Sequence, residues 1–329
     1  MIIYSHKGNL TRKLIQIYLL QKLNTEKNLD EDVIEEKHRV QELLGTPQQK
    51  SDILLVYDLF KQFGMFNKFT AVNGLSFGVK NGECFGLLGV NGAGKTTSFR
   101  MLTGDEYMST GIAMLNGIRL DKHKRKFLTQ IGYCPQFDSI IGEMTGREML
   151  TLFARLRGMH PSEINDEVSH WISEVGIEEY ADRNCGTYSG GNKRKLNVAQ
   201  ALVADPPIIF LDEPSSGVDP ASRRKLWKII RGVQRNGQSI ILTSHSMEEC
   251  DELCGRLGIM VNGQFQCFGP TGYLKQKFGQ GFTILVKLNT QGQNYDESNN
   301  TMESFKKHII SQFDGCLVKD EHKVMLDIS

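Results

Sequence analysis

Nothing in the chain comes near the ~20 consecutive apolar residues that a membrane-crossing helix needs. The longest early run, Leu14 to Leu20, is broken by Gln16 and lies close to charges. A secretory leader is missing too, because Lys7, Arg12 and Lys13 lead into only a few apolar positions and no small-residue cleavage site. The expectation is a chain that does not itself span a bilayer. Charge of one sign is also lacking. With 39 Lys and Arg against 38 Asp and Glu, no overall field draws the chain toward nucleic acid or an anionic membrane. Its seven cysteines are odd in number and, without a leader, argue against a disulfide framework and for a reducing compartment. A charged fraction of 23%, with 17 Phe and 9 Tyr, excludes disorder over most of the length. The 329 residues, 40% of them hydrophobic, can bury a substantial core as one large domain or two modest ones.

Residues 1–52 are polar and carry one helical pattern, DEDVIEEKHRVQELLG from Asp30 to Gly45, which reads as a solvated helix or linker with little to pack on. From Ile53 the texture changes to short apolar runs separated by Gly and Asn, the mark of strands. Between Thr145 and Gly186 the period is helical, with Val168, Trp171, Ile172 and Val175 on one face. Strands return at PPIIFLD and SIILTSH with a helical pattern between them, an order that implies a parallel α/β core. After Gly281 a small separate unit begins: FTILVKL as a strand, a polar loop around 294–300, a helix from Met302 to Phe313, and a last strand over Lys323 to Ile328.

The sharpest motif is GVNGAGKTT, comprising Gly89, Val90, Asn91, Gly92, Ala93, Gly94, Lys95, Thr96 and Thr97. It follows a buried strand pattern and opens a helical one, the context a phosphate-binding loop requires. Its glycines let the backbone curl so that N–H groups surround phosphates, and the helix N-terminus adds positive potential. Lys95 is expected to reach the β- and γ-phosphates, and the Thr96 hydroxyl to ligate Mg2+. Further on, IIFLDEP puts Asp212 and Glu213 at the C-terminal edge of the sheet, with Asp212 as the expected metal holder and Glu213 as the base for the attacking water. His245, closing SIILTSH, belongs on the same edge and is expected to contact the γ-phosphate. Cys250 and Cys254 near His245 suggest a metal site, but with Leu253 and Leu257 they form an ordinary buried stripe and lack a fourth ligand. The run KHKRK, Lys122 to Lys126, has no interleaved aromatics and reads as a solvated loop, not a nucleic-acid contact.

One nucleotide needs one such loop, yet YSGGNKRKL, Tyr188 to Leu196, describes a second phosphate-cradling helix start. With this motif the sequence resembles the ATP-binding cassette (ABC) family, whose nucleotide domains pair head to tail around shared ATP. The resemblance implies a P-loop NTPase core with an antiparallel β subdomain and a helical subdomain, plus a small C-terminal α+β unit. Ser189, Gly190 and Gly191 look like the signature that reaches the other domain's ATP. Gln136 in YCPQFD looks like the Q-loop residue that senses Mg2+ and contacts a transmembrane partner, and Asp219 in SSGVDP like the D-loop residue. The adenine-stacking aromatic is assigned to Phe63, with Phe66 and Phe69 competing. Lys193, Arg194 and Lys195, beside the signature, suggest an anion-facing role.

Wording such as ECFGLLGVNGAGKTT and LTSHSMEECDELCGRLGIMVNGQF is similar to subfamily A, the lipid exporters, and to its second nucleotide domain. Asn192, where a glutamine usually closes the signature, is shared with that subfamily. The implied domains are a linker over 1–52, a nucleotide-binding domain over 53–279 and part of a regulatory domain over 280–329. The implied function is ATP hydrolysis that powers lipid transport, with a second nucleotide domain and transmembrane domains as partners, lipid reached only through those, and no nucleic acid. The implied location is the cytoplasmic side of a membrane, or the cytoplasm for the chain alone. The alternatives are a truncated non-transporting or regulatory fragment and a soluble ABC ATPase.

Overall fold

The computed structural model describes residues 2–4, 30–45, 51–64, 68–137, 139–278, 284–287, 318–322 and 325–328. The chain divides into two compact units, one formed by 1–24 with 275–329 and the other by 25–274.

The larger unit is built on a six-stranded sheet. Strands β4 (Cys84–Gly89), β7 (Ile131–Cys134), β8 (Ile208–Asp212), β9 (Ser239–Ser244), β10 (Arg256–Val261) and β11 (Gln264–Pro270) lie in the order β11-β10-β4-β9-β8-β7. All neighbours are parallel except β11, which turns back on β10. β4, β8 and β9 are buried along their whole length, which is why their sequences are continuous apolar runs. Their C-terminal ends carry Gly89, Asp212 and Ser244 to one edge of the sheet.

A second, antiparallel sheet has the order β3-β2-β5-β6, from β2 (Asp52–Phe63), β3 (Phe69–Lys80), β5 (Thr110–Leu115) and β6 (Ile118–Arg119). It packs on the parallel sheet through aromatic contacts. Phe77 of β3 stacks on Phe85 of β4 at 5.2 Å between ring centroids. Phe77 also meets Phe265 of β11 edge-on, and helix α2 (Lys95–Leu102) packs separately on the parallel sheet, its Phe99 edge-on to Phe210 of β8. Each such fully buried ring contributes ~1.5–3 kcal/mol.

The helical insert consists of α4 (Gly146–Leu156) and α5 (Pro161–Val175), which follow the short α3 (Lys124–Leu128). A capping box starts α4: the Thr145 hydroxyl accepts from the Glu148 amide and the Glu148 carboxylate from the Thr145 amide. Pro161 opens α5 and Gly176, at φ 65°, ends it. The stripe Val168, Trp171, Ile172 and Val175 is buried, with Ile164.

The linker expectation for 1–52 differs from what the structure holds. Helix α1 (Glu31–Gly45) belongs to the larger unit and buries Val33, Glu36 and Val40. A salt bridge from Arg39 to Asp52 of β2 at 2.8 Å ties it down, and within the helix the same guanidinium lies 2.8 Å from Glu36. Glu36 also accepts from the Gly78 amide at 2.9 Å and sits 3.7 Å from Arg256. Residues 2–4, strand β1 (Ile2–Tyr4), go with the smaller unit instead.

That unit contains a four-stranded sheet, β1-β12-β14-β13, with β12 (Ile284–Lys287), β13 (Val318–His322) and β14 (Met325–Ile328) all antiparallel to their neighbours. The expected helix from Met302 to Phe313 and the run Leu14 to Leu20 lie outside the described residues. Among the described residues no helix is long and apolar enough to cross a membrane.

Candidate active site

β4 ends at Gly89, where a Cβ would lie 2.7 Å from the Met260 carbonyl oxygen, so only glycine lets the chain turn there. The loop then runs through Gly92 and Gly94, at φ 82° and 103°, into α2. A side chain at Gly94 would also collide with the carbonyl of Ala71 at the start of β3. Asn91 and Gly92 are exposed, Ala93 is buried, and the helix starts at Lys95 with Thr96 and Thr97 in its first turn. The loop therefore places the N-terminus of α2 against one sheet edge, an arrangement suited to an anion.

Lys95 is buried, and its ammonium donates to the carbonyls of Gly89 at 2.8 Å and Val90 at 3.2 Å. It lies 3.8 Å from Glu213. Burial lowers its pKa, while the charges of Glu213 and Asp212 oppose that shift. Thr96 Oγ1 is 3.4 Å from Asp212 Oδ1. Asp212, fully buried at the end of β8, accepts from the Thr243 hydroxyl on the same oxygen. Its Oδ2 is buried with no hydrogen-bond partner, and burial raises its pKa. An orphaned carboxylate oxygen beside a threonine hydroxyl fits a hard divalent cation, which prefers oxygen ligands.

Glu213 stands next to it at φ 50°. Its amide donates to the Thr243 carbonyl at 3.2 Å and to the Thr243 hydroxyl at 3.0 Å. On its carboxylate converge Gln136 Nε2 at 3.4 Å and His245 Nδ1 at 3.3 Å, with Lys95 beyond them. Gln136 comes from the loop after β7 and His245 from the end of β9, so four segments of the chain meet at this carboxylate. The His245 side chain is 57% exposed, on the rim of a cavity of about 190 Å³ that also touches Ser215, Ser246 and Arg223. The turn holding His245 is fixed from below: Ser244 donates to buried Glu249 at 2.8 Å, and Trp227 donates to the same carboxylate at 3.2 Å.

The other expected residues sit apart from this cluster. Ser189 is exposed as the N-cap of α6 (Gly190–Leu202), its hydroxyl accepting from the Asn192 amide at 3.3 Å. Gly190 and Gly191 open onto free space, with nothing within 4 Å of where a Cβ would be. Tyr188, just before them, anchors the turn by donating to the Tyr180 carbonyl at 2.6 Å, and burial pushes its phenol up to about 12. Asp219 caps α7 (Pro220–Arg235), and the amides of Ser222 and Ala221 hold its carboxyl below the usual range. Phe63 is half-buried at the end of β2, with the Lys61 ammonium 4.6 Å from its ring centroid. Phe69 pairs opposite it and is 64% exposed, whereas Phe66 lies outside the described residues.

Two residues of the site escaped the sequence reading. Thr243 was hidden inside an apolar strand; its only sign was its place two residues before His245. Arg194 was expected to face an anion, and the structure corrects this: it is buried and points inward, its guanidinium donating to backbone carbonyls. Cys250 and Cys254 are buried, the Cys254 thiol 3.8 Å from that of Cys84. Among the described residues no group of three or more His, Cys, Asp and Glu is placed to hold a metal.

Residues 72–216 match a family described as ABC transporter. The chain is 45% identical over 302 residues to phospholipid-transporting ATPase ABCA3 of Homo sapiens, covering 90% of this chain and 17% of that protein. It is 50% identical over 260 residues to ATP-binding cassette sub-family A member 7 of Mus musculus, covering 79% of this chain and 12% of that protein. The chain thus spans a small part of the length of the curated relatives it matches. A solved ATP binding subunit of an ABC transporter superposes with a TM-score of 0.63 at 25% identity, over 76% of this chain and 99% of that one.

Proposed function

Because this chain belongs to the ABC transporter family, as an ATP-binding and ATP-hydrolysing cassette of its subfamily A, we propose that it powers the transport of phospholipid. The observation that carries the reading is the convergence of Lys95, Thr96, Asp212, Gln136 and His245 around Glu213. The loop from Gly89 to Thr97 binds the phosphates through backbone amides, and Lys95 exchanges its loop carbonyls for β- and γ-phosphate oxygens. Thr96, Asp212 and Gln136 are the residues that would hold Mg2+. When bound, that ion neutralises charge on the phosphate oxygens. Glu213 accepts a proton from the attacking water, and Gln136 and His245 orient its carboxylate and contact the γ-phosphate side.

Ser189 and Gly190, which are exposed, and half-buried Gly191 serve the nucleotide of a second cassette, and Asp219 crosses to it. The partners are that second nucleotide domain and transmembrane domains, with lipid reached only through the latter, on the cytoplasmic side of a membrane. The test is Lys95→Ala. Losing the ammonium should weaken magnesium-dependent binding of a fluorescent ATP analogue by ~tenfold or more, ~1.4 kcal/mol. Unchanged affinity would mean that Lys95 does not face phosphate.

A further inference from the structure

We propose that Arg194 is the positioning residue of this hydrolytic site, setting the distance between Gln136 and Glu213 from the helix that the signature opens. The inference rests on the reading of Glu213 and Gln136 given above. Arg194 is 3% exposed. Its Nε donates to the Pro214 carbonyl at 3.0 Å. Nη1 donates to the carbonyls of Pro135 at 2.5 Å and Gln136 at 3.3 Å. Nη2 donates to the Glu213 carbonyl at 2.8 Å and to that of Asp212. All of these acceptors are main-chain oxygens, and they belong to only two segments: the loop carrying Gln136 and the strand end carrying Asp212 and Glu213.

A planar fork with donors in fixed directions is what such a cage needs; a lysine, a point charge on a flexible stem, cannot span it. The side chains of the two bridged segments then meet as Gln136 Nε2 and Glu213 Oε2, 3.4 Å apart. Glu213 is held at its left-handed φ of 50° from both sides, by Thr243 at its amide and by Arg194 at its carbonyl. Because Arg194 lies on the helix capped by Ser189, the signature helix and the catalytic pair are fastened to each other inside one domain. The phosphate loop takes no part in this clamp, so nucleotide binding and turnover should separate when it is cut.

The experiment compares the full chain with Arg194→Lys, Arg194→Met and Glu213→Gln, measuring turnover, affinity for a fluorescent ATP analogue and amide hydrogen exchange. We expect both Arg194 variants to lose at least tenfold in kcat with affinity within threefold. Peptides covering 134–137 and 212–216 should exchange faster while those covering 89–102 do not. In Arg194→Ala, millimolar guanidinium should restore part of the turnover by refilling the cage, and should do nothing for Glu213→Gln. If Glu213→Gln abolishes turnover while the Arg194 variants keep theirs, the proposal falls and the function stands. Equal loss of affinity and turnover in Arg194→Lys, with exchange raised throughout, also overturns it, since that marks general structural support. If Glu213→Gln turns over at the unmodified rate, or the unmodified chain has no turnover, hydrogen exchange decides: unchanged protection at 134–137 and 212–216 in Arg194→Lys refutes the clamp.

Discussion

At Glu213 the backbone adopts a conformation that a residue with a Cβ takes only when its surroundings impose it, at a cost of ~1–3 kcal/mol. Here the two amide bonds to Thr243 and the carbonyl bond to Arg194 impose it, and the result aims a carboxylate out of the sheet edge toward Lys95, Gln136 and His245. The aromatic residues at the other end of the site are arranged less tightly. Gly94 packs under Ala71, two residues beyond Phe69, so the hairpin end that carries Phe63 and Phe69 stands beside the head of the phosphate-loop helix. The Lys61 ammonium lies 4.6 Å from the centroid of the Phe63 ring, the ring expected to stack on a base. Stacking of a base on an aromatic side chain contributes ~1–3 kcal/mol with little base selectivity. Phe63→Ala should therefore weaken ATP binding ~fivefold or more, and GTP should compete within roughly tenfold of ATP. Competition titrations on Phe63→Ala and Phe69→Ala decide between the rings. A larger loss in Phe69→Ala moves the assignment across the hairpin, and a strong preference for one base removes it.

Among the elements, α1 shows why pattern alone misjudges packing. Its few apolar residues suggested a solvated helix, yet charged Glu36 is one of the three residues it buries, satisfied by Arg39, the Gly78 amide and Arg256. Arg39 is a local i,i+3 partner, but Gly78 and Arg256 lie far along the chain, and no local period announces them. Removing one member of a buried ionic group leaves the others unpaired, which costs ~3 kcal/mol or more. Glu36→Ala should thus lower Tm by roughly 6–12 °C, and Glu36→Gln, which can still accept from the Gly78 amide, by less. A melting scan of both variants checks the order; equal stability of all three proteins would mean that α1 does not depend on this contact. The same reasoning separates what was legible from what was not. The loop from Gly89 to Thr97, the strand ends at Asp212 and His245, and the stripe of α5 were readable because glycine spacing, apolar runs and helical periodicity are local signals. Arg194 was misread because its acceptors are carbonyl oxygens, which every residue carries, so nothing in the sequence marks them.

For the whole molecule, the decisive fact is that one phosphate loop and one signature occur in the chain, and that they face different surroundings. Lys95 is buried beside the carboxylates of Glu213 and Asp212, whereas Ser189 is exposed and bonded to the first turn of its own helix. Gly190 and Gly191 leave open space where another molecule can approach their amides. Among the described residues no hydrogen bond or ion pair links Ser189, Gly190 or Gly191 to the side chains that meet at Glu213. On the function proposed above, the anion that completes this helix N-terminus is the phosphate of a nucleotide held by a second cassette. Hydrolysis should then require two domains. If Glu213 is the base proposed above, Glu213→Gln deprives the water of it while Lys95, Thr96 and Asp212 keep their contacts, so nucleotide should stay bound and hold the pair together. We expect Mg-ATP to shift Glu213→Gln toward a dimer in light scattering, over a scan to high protein concentration because the second cassette of the proposed function need not be an identical chain. Adding Ser189→Arg fills the open face of the signature and should abolish the shift. If the double variant dimerises as well as the single one, the signature has no part in the nucleotide site. If Glu213→Gln hydrolyses ATP at the unmodified rate, the base assignment fails although phosphate binding by the Gly89–Thr97 loop stands.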